Sequence, residues 1–186
     1  EGSSSWERTN LPQSATVKSQ ALTLTKTVYD KDNLTTPLTE DEYQAGIAGT
    51  SKYAQVSIGD TVTYMLVANV PDYPANATAT GYQISDDLPS GMTLNNASVQ
   101  VYGMATGSLN TEAGTLLTAG TGEAYTLTTT DATRPGTGTT SVDFNLEFDY
   151  SKIKNYDKIR VVYTATANSD IGVVGQNSNT NGNRNT

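Results

Sequence analysis

Apolar and polar residues alternate with a period of two along most of this chain, and that period builds strands rather than helices. The run Thr61-Val62-Thr63-Tyr64-Met65-Leu66-Val67-Ala68 follows the turn signal Gly59-Asp60, and Val142, Phe144, Leu146 and Phe148 form a second inward row. The same pattern, rich in Val, Thr, Tyr and Ile, recurs over Ala21–Tyr29, Gln55–Val70, Tyr82–Leu88, Ser98–Tyr102, Ala124–Thr129, Ser141–Tyr150 and Lys158–Asn168. Between these runs lie turn formers such as Pro89-Ser90-Gly91, Asn95-Asn96 and Arg134-Pro135-Gly136-Thr137-Gly138. Helix is expected only as short turns at Thr39–Ala45, with Thr39 as N-cap, and at Lys152–Tyr156. The chain is therefore expected to be all-β, an immunoglobulin-like antiparallel β-sandwich over residues 21–186 with an N-terminal arm over 1–20. Trp6 is the arm's one large apolar anchor, there is no internal repeat, and Gly175 to Thr186 reads as an irregular polar tail.

Two charged residues break the alternation. In Leu22-Thr23-Leu24-Thr25-Lys26-Thr27-Val28, Lys26 shares a face with Leu22, Leu24 and Val28, while the threonines take the other. In Tyr82-Gln83-Ile84-Ser85-Asp86-Asp87-Leu88, Asp86 falls in phase with Tyr82, Ile84 and Leu88. A charge facing a core is costly unless it is neutral or paired. The two residues together point to a buried ion pair or to chemistry. Taken singly, Lys26 also fits a strand lysine whose stem lines the core edge while its amine reaches water, and Asp86 fits a cap on the turn before Leu88-Pro89.

Composition narrows the function. With no cysteine there are no disulfides, zinc-thiolate sites or thiol nucleophiles, and with no histidine there is no Ser-His-Asp triad. A turnover enzyme is not expected, and neither is a cofactor. A net charge of −8 argues against nucleic acid and anionic membrane surfaces as partners. No stretch of about 18 apolar residues is present to insert in a membrane. The opening Glu1-Gly2-Ser3-Ser4-Ser5 has no basic segment followed by an apolar one, so no signal peptide is expected there. A cysteine-free, acidic chain rich in Thr, Ser and Asn is a common composition among bacterial surface proteins.

Other motifs carry blander readings. Asp30, Asp32 and Asn33, with Glu40, Asp41 and Glu42, form an acidic patch that offers a weak calcium candidate at Asp30 and Asp32, but it lacks the spacing and glycine of an EF-hand loop and reads better as a solvated loop. Asn76-Ala77-Thr78 and Asn96-Ala97-Ser98 match glycosylation sequons and are expected to be plain turn residues. Most of the 11 tyrosines fall in phase with strand cores rather than forming a sugar-binding platform. The Gly-rich segments lack the Lys-Ser/Thr and the following helix of a phosphate loop.

Five segments in order carry a family resemblance. They are Leu24-Thr25-Lys26-Thr27-Val28, then Gly59-Asp60-Thr61-Val62-Thr63-Tyr64, then Ile84-Ser85-Asp86-Asp87-Leu88-Pro89-Ser90-Gly91-Met92. Val162-Tyr163-Thr164-Ala165-Thr166-Ala167-Asn168 and Gly182-Asn183-Arg184-Asn185-Thr186 follow. The set resembles the isopeptide-forming middle domain, of CnaB type, of Gram-positive sortase-assembled pilins, from about residue 21 onward. In that family a lysine on the first strand attacks the carboxamide of an asparagine on the last, an acidic residue assists, and ammonia leaves. The resemblance implies Lys26 as nucleophile, Asp86 as assisting acid and proton shuttle, and Asn185 as the crosslink partner, with Asn183 and Asn179 as alternates and Asn181 and Asn177 as further competitors. Burial fits these roles, because it favours the neutral, reactive amine on Lys26 and a protonated Asp86.

The chain departs from the family in two ways. The family's last strand runs on beyond Gly-Asn-x-Asn as an alternating apolar segment, whereas this sequence ends at Thr186, so that strand is expected from beyond the sequence or from elsewhere. The family's Leu-Pro-x-Thr-Gly sorting signal and Tyr-Pro-Lys polymerisation lysine are also absent, Tyr73-Pro74 being followed by Ala75.

The expected function is that of a structural stalk or shaft module of an extracellular pilus or surface adhesin, held in the cell wall or pilus and tied by an intramolecular Lys-Asn bond. Its partners would be other pilin subunits or flanking domains of the same surface protein. Two alternatives are a filament subunit assembled by donor-strand exchange, suggested by the arm and the missing last strand, and an adhesin domain for host matrix or glycan.

Overall fold

The computed structural model describes residues 22–30, 33–37, 57–110, 112, 114–133 and 140–170, without the side chains of 29, 30 and 33–37. The expectations for the arm at 1–20 with Trp6, the helical turn at Thr39–Ala45 and the tail from Gly175 lie outside these residues.

Among the described residues ten strands form two antiparallel sheets, in keeping with the expected immunoglobulin-like sandwich. They are β1 (Leu24–Asp30), β2 (Asn33–Pro37), β3 (Thr61–Asn69), β4 (Gln83–Asp86), β5 (Met92–Leu94), β6 (Gln100–Met104), β7 (Thr115–Leu116), β8 (Tyr125–Thr128), β9 (Phe144–Phe148) and β10 (Lys158–Ala167). The larger sheet runs β2-β1-β3-β10-β6-β7, with β5 beside the far half of β10, and the smaller runs β4-β9-β8. Its spine is the β3–β10 ladder, in register from Lys158↔Asn69 to Thr166↔Thr61.

Alternation explains how the sheets close on each other. Val62, Tyr64, Leu66 and Ala68 of β3 and Ile159, Val161, Tyr163 and Ala165 of β10 face Ile84, Phe144, Leu146 and Phe148 of the smaller sheet in one core. Phe144, Leu146 and Val161 are fully buried, which stabilises the fold by roughly 1.5–3 kcal/mol for each side chain. The opposite face of β3 is also covered, since Met65 and Val67 are buried there with Val162 against them. This double burial is why β3 reads as nearly continuous apolar sequence.

Some boundaries differ from expectation for local reasons. The run expected from Ser98 is a 3-10 turn at Asn96–Ser98, and β6 starts only at Gln100. Side chains replace the ladder across that turn. The Ser98 hydroxyl accepts from the Thr164 N–H at 2.8 Å, and Asn95 Nδ2 donates to Thr164 Oγ1 at 2.9 Å. The Asn96-Ala97-Ser98 sequon is thus a turn whose hydroxyl serves the backbone. The expected turn at Lys152–Tyr156 begins earlier, as helix α1 (Tyr150–Ile153), because the Asp149 side chain caps it by accepting from the Ser151 N–H at 3.0 Å. Strands β5 and β7 carry too few residues to show a period.

Arg160, on the outer face of β10, is buried and lies 4.6 Å over the Tyr102 ring. Its Nη1 donates to the carbonyls of Asn110 and Glu112, which pins the β6–β7 connection across the sheet.

At Gly103 of β6 a strand and a connection meet tightly. A Cβ there would stand 2.6 Å from carbons of the Tyr156 ring. Gly103→Ala is expected to displace that ring and lower the urea midpoint, at a cost of about 1–3 kcal/mol, the range for overpacking a filled site.

Candidate functional site

Lys26 and Asp86 come from different sheets and meet inside the sandwich. Lys26 pairs in register with Leu66, a residue of the main core, so its side chain leaves β1 on the inner face. Asp86 ends β4 opposite Phe144, and its own carbonyl accepts from the Asp143 N–H at 2.9 Å, which fixes the backbone there. Tyr82, Ile84, Asp86 and Leu88 are all buried, as the alternation requires. Lys26 Nζ donates to Asp86 Oδ1 at 2.5 Å, with the lysine side chain 20% exposed and the aspartate side chain 5%. The snorkelling expectation is therefore only partly realised: the stem is enclosed, and the amine points to a carboxylate.

Aromatic rings wall the pair. Lys26 Nζ lies 5.8 Å from the centroid of Tyr64. Tyr64 stacks on Tyr163 with centroids 5.3 Å apart, and Phe144 meets Tyr163 edge-on at 5.0 Å. The Tyr163 hydroxyl donates to Asp86 Oδ2. No role was expected of Tyr163. The signal lay in the row Val161, Tyr163, Ala165, because a buried tyrosine in phase with a core must find a partner for its hydroxyl.

Burial pushes the Lys26 ammonium below the ordinary lysine value of 10.5, and attraction to Asp86, with smaller help from Asp87 and Asp143, pulls part of the way back. Burial likewise raises the Asp143 carboxyl, while the Leu88 N–H that it accepts at 2.6 Å works the other way and the negative charges of Asp87 and Asp86 add to the rise. The lysine shift has a pH consequence. Between its folded value and 10.5 the unfolded chain holds the extra proton, so stability rises with pH through that window. Below the window both states are protonated and the burial penalty is fully present. For chain with a free Lys26 amine, the urea midpoint is expected to rise as pH climbs toward 10.5, and Lys26→Met to flatten that rise.

Among the described residues, β4 pairs with β9 on one edge and with no strand on the other. Next to it, Leu24 lies on the inner face of β1, opposite Ala68, yet is 55% exposed.

The asparagines Asn185, Asn183, Asn179, Asn181 and Asn177 lie outside the described residues, as do Asp32, Glu40, Asp41 and Glu42. Asp30 ends β1, and its side chain is not described. Among the described residues no three His, Cys, Asp or Glu side chains are grouped to hold a metal ion, and no helix is long and apolar enough to cross a membrane.

No described protein family and no curated protein matches the sequence. A solved structure does: the T6 backbone pilin of serotype M6 Streptococcus pyogenes, described as a modular three-domain structure decorated with variable loops and extensions. The match has a TM-score of 0.52 at 21% sequence identity and covers 84% of this chain and 27% of the pilin. The immunoglobulin-like fold is shared with part of a backbone pilin. At that identity the likeness is one of fold, and Lys26 and Asp86 are argued from their own geometry.

Proposed function

We propose that this chain is a shaft module of a bacterial surface pilus or adhesin, strengthened by a covalent bond between Lys26 and an asparagine side chain. The carrying observation is the 2.5 Å contact between Lys26 Nζ and Asp86 Oδ1 inside an aromatic wall. Asp86 takes a proton from the ammonium, and the neutral amine attacks the carboxamide carbon. The new C–N bond forms, the old one breaks, and Asp86 returns the proton to the departing nitrogen. One hydrogen stays on the new amide nitrogen, and the other two leave with the carboxamide NH2 as ammonium. Holding amine and carboxamide in contact makes this otherwise very slow exchange effectively unimolecular. It happens once for each chain, so there is no turnover.

Asn185 is the first choice for the partner, by its place in the Gly-Asn-x-Asn motif. The pilin fold and the small share of the pilin that this chain covers support one module among several in an extracellular assembly, with like subunits or flanking domains as partners.

Intact mass tests the reading. The folded chain is expected to be lighter than its sequence by one ammonia. Full mass in a folded chain that includes the asparagine strand would reject it.

A further inference from the structure

We infer that Tyr163 is a positioning residue for the cross-linking step, holding Asp86 so that a single carboxylate oxygen serves Lys26; the inference rests on the proposed Lys-Asn bond. Asp86 divides its oxygens. Oδ1 accepts from Lys26 Nζ, and Oδ2 accepts from the Tyr163 hydroxyl. The shuttle requires one oxygen to take a proton from the lysine nitrogen and to return it to the leaving nitrogen at the same place. A carboxylate free to rotate would carry that proton away from the reacting atoms. With a donor hydrogen already at Oδ2, the incoming proton goes to Oδ1. The same logic operates wherever one fixed group orients an acid–base partner without itself reacting.

Tyr163 is suited to this because it cannot swing aside. It is fully buried at the centre of β10, in register with Tyr64 on β3. Tyr64 stacks flat against it, with 12° between the planes, and Phe144 closes the ring's other approach at 71°. The hydroxyl is thus a rigid stop built on the spine of the larger sheet, while Lys26 arrives from β1 and Asp86 from the smaller sheet.

Tyr163→Phe separates this role from packing, since the ring and its stacking remain and only the hydroxyl goes. Newly synthesised chain is followed by intact mass against time over a range of pH, with the urea midpoint as a check on folding. The variant is expected to lose ammonia on the order of 10- to 100-fold more slowly, within the range ascribed to a well-placed acid–base group. The shape of its pH–rate profile is expected to change with the rate, because the group that orients the shuttle oxygen is gone. If Tyr163→Phe folds poorly, 3-fluorotyrosine placed at position 163 keeps the ring and makes the hydroxyl a stronger donor, and is expected to change the rate and its pH profile while the fold holds. Unchanged rate and profile in the variant that folds would overturn this inference while leaving the proposed bond intact. A wild-type chain with its asparagine strand that never loses ammonia overturns both.

Discussion

Lys26→Ala is expected to restore the full sequence mass and to lower the unfolding temperature by roughly 10–20 °C, read by calorimetry or circular dichroism. The magnitude follows from the length of chain closed by the bond. A covalent tie from Lys26 to Asn185 spans most of the sequence, and the chain-entropy argument made for disulfides gives about 5 kcal/mol for a loop of that size. In a domain of this length each kcal/mol moves the midpoint by about 2–4 °C. Lys26→Arg isolates the bond from the ion pair. A guanidinium can still pair with Asp86 but stays protonated and cannot be acylated. It should therefore lose most of the same temperature increment and also gain the ammonia mass. An arginine variant that keeps wild-type stability would mean that the pair, and not a bond, sets the midpoint.

Much of this site was legible as direction and little of it as distance. Alternation placed Lys26 with Leu24 and Val28, and Asp86 with Ile84 and Leu88, and both rows face inward. Alternation cannot say which inward residues of two sheets meet, since that depends on register and on how the sheets cross. Lys26 and Asp86 lie 60 residues apart and are joined only through β3, which carries Lys26 opposite Leu66, and β9, which sets Asp86 opposite Phe144. Tyr163 was hidden by company, because a tyrosine in a strand core is ordinary until its hydroxyl partner is known. Arg160 escaped notice for the opposite reason. It lies on the outward face, where an arginine looks solvated, and is buried only because the β6–β7 connection folds back over it. The strands with clean one-face patterns, β9 and β10, emerged near their expected positions. Those of two or three residues, β7 and β5, have no period to read, and β5 is joined to β6 through a turn in which Asn95 and Ser98 side chains stand in for strand hydrogen bonds.

Asp86→Ala is expected to do more damage than the loss of one salt bridge, because Asp86 is the acceptor for two donors at once, one partly buried and one fully buried. Removing it blocks the bond and takes from Lys26 Nζ and the Tyr163 hydroxyl the carboxylate oxygens they share. Breaking a buried pair from one side costs about 3–5 kcal/mol. Stranding Lys26 in this way should add about 3 kcal/mol, the low end of that range because Lys26 is 20% exposed, to the roughly 5 kcal/mol lost with the bond. The comparison that decides the cause is a double-mutant cycle against a background of Lys26→Met, which itself cannot cross-link. With no ammonium left to strand and no bond left to lose, Asp86→Ala in that background should cost much less than Asp86→Ala does alone, the Tyr163 hydroxyl being the donor still deprived. The two sites should couple by at least the roughly 5 kcal/mol of the bond, which each single variant loses and the double variant loses only once. Adding Tyr163→Phe removes the last donor, and the triple variant should regain further stability while remaining permanently at full mass. Additive single and double effects would place Lys26 and Asp86 outside each other's reach in solution, which would remove the physical basis for the proposed bond as well as for the pair.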